Sequence, residues 1–119
     1  MRFALLCYAP ESVEWRKEDD DAVMAQHDAT GARLVAEGKL GPNLRLMPTT
    51  TAMTIRNAGT LVLDGPFAET KEQLLGFFLV ECASLEEALG IAREYASHMP
   101  GGGLELRPIK QYEPGGFTR

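Results

Sequence analysis

The middle of the chain reads Asp64-Gly65-Pro66-Phe67-Ala68-Glu69-Thr70-Lys71-Glu72-Gln73-Leu74 and continues directly into Leu75-Gly76-Phe77-Phe78-Leu79-Val80-Glu81-Cys82. The first part is polar, and its Gly65-Pro66 step excludes regular helix or sheet pairing because proline has no N–H and a fixed φ. The second part contains no proline and is rich in Phe, Leu and Val, which is the pattern of a buried strand. The sequence therefore predicts a turn that leads straight into a central strand.

The elements around this strand predict one domain of the α+β class. The chain has 119 residues, the length of a single domain spanning 1–119. The order β-α-β, inserted hairpin, β-α-β predicts a ferredoxin-like β-α-β-β-α-β fold whose first and third strands are central and antiparallel. The predicted elements are, in chain order, a strand over 2–8, a helix over 18–38, a strand over 39–47, a hairpin over 51–64, a strand over 75–82, a helix from the Ser84–Glu87 capping box to Ser97, and a strand over 104–109.

The first predicted helix has two candidate buried faces. Its acidic first turn opposes the positive end of the helix dipole and needs no metal to explain it. Small side chains recur at spacings of three and four, and such a stripe is expected to pack closely on a sheet. The small-residue stripe consists of Ala22, Ala25, Ala29, Ala32 and Ala36, beside an adjacent stripe of Val23, His27, Thr30 and Leu34.

Both central strands are predicted to be apolar on both faces. In the first strand Phe3 and Leu5 alternate with Leu6 and Tyr8, and the strand over 75–82 alternates in the same way. The two helices cover only one face of such a sheet, and the chain has no further element large enough to cover the other. We therefore expect a homodimer through the sheet face, a dimeric α+β barrel-like assembly.

Two segments follow no regular pattern. Trp15 lies in a polar loop, where it is expected to pack over a sheet edge or a partner chain. Residues 111–119 show no periodicity, so they are predicted to form a loose tail or an arm that docks on a partner.

Composition excludes several classes of function. The formal net charge is −5, so a nucleic-acid backbone is repelled and nucleic-acid binding is not expected. No apolar run approaches the roughly 20 residues that span a bilayer, and the N-terminus lacks a signal-peptide pattern. Cys7 and Cys82 lie in strand-like runs, which favours free thiols in a reducing cytoplasm. The His and Cys spacings match no metal site, and we predict neither a metal nor a cofactor.

The run from Asp64 to Leu74 resembles, residue for residue, the signature of the DGPF branch of the YCII-related family. The order of the flanking elements fits as well, so the resemblance covers nearly the whole chain. It implies a ferredoxin-like α+β fold, usually dimeric. It implies no particular reaction, because the family's biochemical role is largely unassigned. Relatives of the DGPF type are often linked with extracytoplasmic-function sigma factors.

The candidate catalytic residues are Asp64, Glu69 and His27. A carboxylate held by a turn beside an apolar cavity can have a raised pKa and carry protons. A turn-forming role equally explains Asp64, and Glu69 and Lys71 equally form a surface ion pair. His27 lies mid-helix among apolar neighbours and is suited to proton transfer or simply to packing. The resemblance implies a His–Asp pair with its histidine on the first helix, although the family's Arg-x-x-His pattern is absent at His27.

The remaining site candidates are residues that would bind a substrate. They are Tyr8, Arg45, Lys71 and Phe67, while His98, in the loop before Pro100, is assigned no role. Two classes of function stay open. One is a small-molecule-binding protein that acts as a cofactor-free acid–base enzyme of the isomerase or lyase type. The other is a non-catalytic regulatory or ligand-binding dimer linked to sigma-factor-controlled transcription. Convergence of His27 with a motif carboxylate on one cavity would favour the enzyme.

Overall fold

The computed structural model describes residues 1–11 and 17–118, with the backbone alone at Lys17. The order of helices and strands predicted from the sequence is confirmed, with ends that differ by a few residues. The predicted packing of Trp15 lies outside the described residues. The elements are β1 (Arg2–Ala9), α1 (Lys17–Ala36), β2 (Leu40–Arg45), a short 3-10 turn (Thr49–Thr51), β3 (Met53–Arg56), β4 (Leu61–Asp64), β5 (Gln73–Glu81), α2 (Leu85–Ser97) and β6 (Gly103–Pro108).

Four strands form one antiparallel sheet in the order β2-β5-β1-β6, and β3 and β4 form a separate hairpin. The central strands are β1 and β5, as predicted, and Leu5 lies opposite Phe78 in their register. On the other side of β1, Leu5 lies opposite Leu106 of β6. Strand β6 is an edge strand, and Pro108 at its end has no further strand to pair with. This mixed α+β arrangement is compatible with a ferredoxin-like fold.

The hydrophobic core lies between the sheet and the two helices. Phe3 and Leu5 of β1 and Val80 of β5 are almost completely buried there. Leu34 of α1 and Ile91 of α2 belong to the same cluster. Both helices therefore lie on one face of the sheet. Burying each such side chain contributes about 1.5–3 kcal/mol, so this layer supplies most of the stability of the fold.

The prediction that the alanine stripe of α1 packs on the sheet was wrong. All five alanines are exposed, and the buried face of the helix is the adjacent stripe, on which Thr30 and Leu34 are buried and Val23 and His27 half-buried. The physical reason is the apolar surface area that each side chain can bury, because a leucine or valine removes far more of it from water than an alanine does. In α2 the size of the side chain does not decide burial by itself, because Ala88 and Ala92 are buried while Leu85 is exposed. The position on the helix decides it there, and Ile91 and Tyr95 lie on the same buried face.

The predicted capping box at the start of α2 is confirmed. The Ser84 hydroxyl accepts a hydrogen bond from the Glu87 N–H at 3.1 Å, and the Glu87 carboxylate accepts one from the Ala83 N–H at 3.0 Å. At the other end, His98 is the C-cap, and its N–H donates to the Tyr95 carbonyl at 3.1 Å. The cap residues thus set both ends of α2, and His98 leaves the helix at a defined place.

The motif loop, residues 64–72, begins with a tight turn. Gly65 has a φ of 104°, a conformation that a residue with a side chain rarely adopts. Its N–H donates to the Ala52 carbonyl at 2.8 Å, and its carbonyl accepts a hydrogen bond from the Thr54 hydroxyl at 2.8 Å. These bonds tie the loop to the β3–β4 hairpin, so the turn-forming role predicted for Asp64-Gly65-Pro66 has direct structural support.

Strands β2 and β5 pack closely at Gly76. A Cβ atom there would lie 2.3 Å from the Leu44 carbonyl oxygen, which is too short for any side chain. Next to this point, a bulge in β5 shifts the register so that Cys7 lies opposite Gly76 while Tyr8 lies opposite Leu74. Gly76 therefore lets β2 pack against the central strand where the candidate site described below begins.

The second face of the sheet carries the side chains that alternate with the core. Leu6 and Tyr8 of β1 and Phe77 and Leu79 of β5 are half-buried on this face, and Leu6 lies opposite Phe77. Because both helices pack on the first face, neither covers this one in the part of the chain that the structure describes. Within the same part, no helix combines the length and the apolar character needed to cross a membrane.

Candidate functional site

A cavity of about 460 Å³ opens between α1, β2 and β5, on the helix side of the sheet. Its volume lies within the range of about 300–1,000 Å³ that is typical of small-molecule sites. Most of its wall is apolar and includes Val23 and Met24 of α1, Leu44 of β2, Phe78 of β5 and Met99 after α2. This composition suits a ligand that is largely hydrocarbon.

The cavity follows from the pattern of α1. Val23, Met24 and His27 lie within one helical turn, so they present one wall to β2 and β5. At Gly31 a Cβ atom would lie 3.4 Å from the Leu40 side chain and 3.5 Å from the Tyr95 hydroxyl. These are ordinary contact distances, so α1, β2 and α2 pack around Gly31 at one side of the cavity.

Two histidines meet at the cavity wall. The Nδ1 atoms of His27 and His98 lie 3.1 Å apart, which is a hydrogen-bond distance, and the ring centroids lie 5.3 Å apart. One ring must carry a proton on Nδ1 and the other must accept it, so their protonation states are linked. The Tyr95 ring lies 5.2 Å from the His27 ring and holds it edge-on from the core side.

The surroundings of His27 favour the neutral imidazole. Burial lowers the pKa of His27 from its ordinary value of 6.5, and the neighbouring His98 and the Arg45 guanidinium lower this pKa further. Asp28 acts in the opposite direction with a smaller effect. At neutral pH, His27 is therefore uncharged and has a ring nitrogen that can accept a proton.

An ion pair lies at the edge of the cavity. Arg45 of β2 donates a hydrogen bond to the Asp20 carboxylate of α1 at 3.1 Å. The Arg45 side chain is 64% exposed, so the pair is screened by water and adds little to stability. Its effect is instead to hold a guanidinium group beside the cavity, where an anionic group of a ligand could reach it.

Two further ionisable groups of the wall, the Cys7 thiol and the Tyr95 hydroxyl, are uncharged at neutral pH. Burial raises the pKa of the Cys7 thiol to about 11, and burial also raises the pKa of the Tyr95 hydroxyl. Among the described residues, no group of three or more His, Cys, Asp or Glu side chains is placed to hold a metal ion. The chemistry that this wall can supply is therefore proton transfer at His27 and charge recognition at Arg45.

Comparison with known proteins gives the family. A model of the YCII-related domain matches residues 1–113. The chain belongs to the YCII-related family. An uncharacterised protein of Rhizobium meliloti is 52% identical to it over 120 residues, which cover 97% of each chain. The resemblance inferred from the sequence is thus confirmed at the level of the family, and the relative adds no reaction or ligand.

The structure of this YCII-related chain brings together only some of the predicted site residues. His27 and Arg45 both line the cavity. Tyr8 lies on the opposite face of the sheet and is not part of the cavity wall in the described structure. His27 and Arg45 are thus the two predicted site residues around which the chemistry of this cavity can be argued.

The motif loop is placed elsewhere. The side chains of Asp64, Phe67, Glu69 and Lys71 are exposed, and none of them contributes to the described cavity wall. The Arg56 guanidinium instead lies over the ring of Phe67, with its Cζ atom 4.2 Å from the centroid of that ring. The convergence of His27 with a motif carboxylate is therefore absent from the described chain. The catalytic roles of Asp64 and Glu69 stay predictions.

His98 is the site residue that the sequence pattern alone did not reveal. It continues the buried stripe of α2, because Ile91, Tyr95 and His98 are spaced by four and three residues. This spacing was the available signal. It was obscured because residue 98 lies two residues before Pro100 and is typical of a loop.

The titration of His27 provides a test of this geometry. In the His98→Gln variant we expect the pKa of His27 to rise, because one of the causes that lower this pKa, the neighbouring His98, is removed. Asp28→Asn should lower it, since a favourable negative charge is lost. The measurement is an NMR pH titration of the imidazole protons. The matched controls Asp64→Asn and Glu69→Gln should leave the curve unchanged, and a shift caused by either would contradict the placement of the motif loop outside this site.

Proposed function

We propose that this YCII-related protein binds a small, largely apolar organic molecule in the cavity between α1, β2 and β5. The observation that carries this proposal is the combination of a largely apolar wall with His27 and Arg45, which reach the same space beside Asp20 and Asp28. A pocket that only separated two packed layers would have no use for an imidazole and a guanidinium at its wall. The proposal includes a single domain over residues 1–119, with free thiols at Cys7 and Cys82 in a reducing cytoplasm.

The finer proposal is a cofactor-free acid–base enzyme of the isomerase or lyase type. Its support is the neutral His27, which can take a proton from a bound molecule at one ring nitrogen while Nδ1 contacts His98. Arg45 would stabilise the negative charge that develops when a carbon or oxygen atom loses its proton. Asp64 and Glu69 would join this reaction only if the motif loop moved to the cavity or came from another chain.

The alternative is a non-catalytic regulatory or ligand-binding dimer of the DGPF branch, linked to sigma-factor-controlled transcription. The exposed motif loop favours it, because Phe67 is 70% exposed and its ring lies against Arg56 of the β3–β4 hairpin. Ile55 and Val62 on that hairpin are also exposed. Such a surface suits contact with another protein chain and needs no chemistry.

Binding in the cavity can be measured with the protein's own methionines. Met24 and Met99 line the cavity, whereas Met47 and Met53 are exposed and lie outside its wall. With methyl-labelled methionine and 1-naphthamide as the probe, we expect the signals of Met24 and Met99 to shift on titration. The signals of Met47 and Met53 should stay in place, because the probe fills the cavity rather than the exposed hairpin.

A matched pair of variants provides the control for this titration. Ala32 lies at the cavity wall, and Ala36 lies one turn further along α1, is also exposed and is not part of that wall. Ala32→Phe should weaken the binding of 1-naphthamide at least several-fold by filling the cavity, and Ala36→Phe should not. Equal shifts at all exposed methionines, or equal binding by both variants, would contradict the proposed site.

The homodimer through the sheet face is a separate proposal. It is supported by the half-buried apolar side chains Leu6, Phe77 and Leu79 on the face that neither helix covers. We expect Leu6→Lys to produce monomers in sedimentation velocity, since a buried charge at the centre of an interface is costly. The monomer should tolerate the change because Glu105 lies opposite Leu6 on β6. Leu85→Lys, on the exposed side of α2, is the control, and a dimer that persists in Leu6→Lys would contradict this interface.

A further inference from the structure

The charges around the cavity do not balance when both histidines are neutral. Asp20 and Asp28 of α1 are part of the wall and each carries a negative charge, while Arg45 carries one positive charge. The sum is one net negative charge, which opposes the entry of an anion. A single additional proton on the histidine pair would bring this sum to zero.

The geometry of the histidine pair suits it to take up one proton and not two. In the neutral pair, one Nδ1–H donates to the other Nδ1 across 3.1 Å, and one Nε2 has no proton. A proton added to that Nε2 leaves the Nδ1–H···Nδ1 hydrogen bond intact and makes it charge-assisted. A second proton would have to go onto the accepting Nδ1, so two N–H groups would face each other. The pair therefore has one accessible protonation step.

Uptake of one proton by the His27–His98 pair is the main way in which the charge of the cavity can change. On α2, Glu94 is neutralised by a bidentate ion pair with Arg33 of α1. The Tyr95 hydroxyl and the Cys7 thiol of β1 are uncharged at neutral pH, because burial raises the pKa of each. The fixed charges of the cavity wall are then Asp20 and Asp28 of α1 and Arg45 of β2, and of these Asp28 and Arg45 act on His27.

We propose that the molecule bound in this cavity is a small organic carboxylate with an apolar body, and that the His27–His98 pair takes up one proton when it binds. This inference rests on the proposed binding function. The proton comes from solvent and goes to an Nε2 atom, so that Nε2–H of His27 donates to one carboxylate oxygen. The Arg45 guanidinium pairs with the other oxygen, and the hydrocarbon part contacts Met24, Leu44 and Phe78.

The linkage between anion and proton gives a quantitative expectation. If binding takes up one proton, the affinity for the carboxylate increases as the pH falls, by up to about tenfold per pH unit. A neutral ligand of the same shape takes up no proton, so its affinity should not change over the same range. The matched pair of probes is 1-naphthoate, whose carboxyl group stays largely ionised from about pH 5 to 8, and 1-naphthamide.

The experiment is a titration of each probe against the intact protein at several pH values, followed by the methionine methyl signals of Met24 and Met99. We expect 1-naphthoate to bind more tightly at lower pH and 1-naphthamide to bind equally at all pH values. His27→Gln should remove the pH dependence of the affinity for 1-naphthoate. His98→Gln should move the midpoint of that pH dependence. Arg45→Gln should weaken 1-naphthoate several-fold without affecting 1-naphthamide, whose binding also shows that each variant is folded.

The possible failures can be told apart. A pH-independent affinity for 1-naphthoate would overturn proton uptake, and a pH dependence that survives in His27→Gln would overturn the role of His27 in it. In either case the binding of 1-naphthamide leaves the cavity function in place. If the midpoint of the pH dependence is unchanged in His98→Gln, then His27 takes up the proton without His98, and the proposed role of the pair is wrong. If neither probe shifts the methyl signals of Met24 or Met99, the proposed binding function is wrong, and the inference that rests on it is wrong as well.

Discussion

The contact of Tyr95 with Phe78 on one side and His27 on the other joins the core of this protein to its candidate site. Tyr95 is 5% exposed, and its ring lies 4.3 Å from that of Phe78 and 5.2 Å from that of His27. The packing of β5 against α2 therefore fixes the aromatic surface on which His27 rests. Aromatic pairs at these separations add to the free energy of area burial, so the imidazole is held by the same forces as the core.

The position of His98 depends on how the two helices are held together. Arg33 of α1 forms a bidentate pair with Glu94 of α2, and the Arg33 guanidinium lowers the pKa of the Glu94 carboxyl. Because this pair is largely exposed, its value lies in fixing the register of the helices rather than in stability. With that register set, residue 27 of α1 and residue 98 at the end of α2 fall opposite each other. The hydrogen bond between the histidines thus depends on packing that lies outside the cavity.

Much of the fold could be predicted from the sequence, and for clear physical reasons. Strand β5 is a run of large apolar residues, and α2 begins with a Ser84–Glu87 cap, so local pattern alone places both. The buried face of α1 could not be placed in this way, because the alanine stripe and the stripe of Thr30 and Leu34 have similar periodicity. Only the competition for core space, where the larger side chains remove more surface from water, selects between them.

In the candidate site, too, some residues could be predicted from local sequence while others depend on tertiary packing. His27 and Arg45 could be proposed from residue type and the mid-helix or strand position, and both line the cavity. His98 could not be, since its partner is 71 residues away and pairing over that distance depends on the packing of α1 on α2. The motif loop was the most specific sequence signal, yet Gly65 and its hydrogen bonds show a turn tied to the hairpin. A specific motif marks the family without marking the centre of the cavity.

The central claim is that His27 and His98 face each other across a single hydrogen bond. Because the chain contains only two histidines, their ring protons can be assigned without ambiguity in a nuclear Overhauser spectrum. We predict a cross-peak between the Hε1 protons of the two rings, each of which is next to an Nδ1 atom, and further cross-peaks from His27 to the ring of Tyr95. Cross-peaks to Tyr95 without one between the histidines would contradict the pair, and the absence of both would contradict the placement of His27 itself.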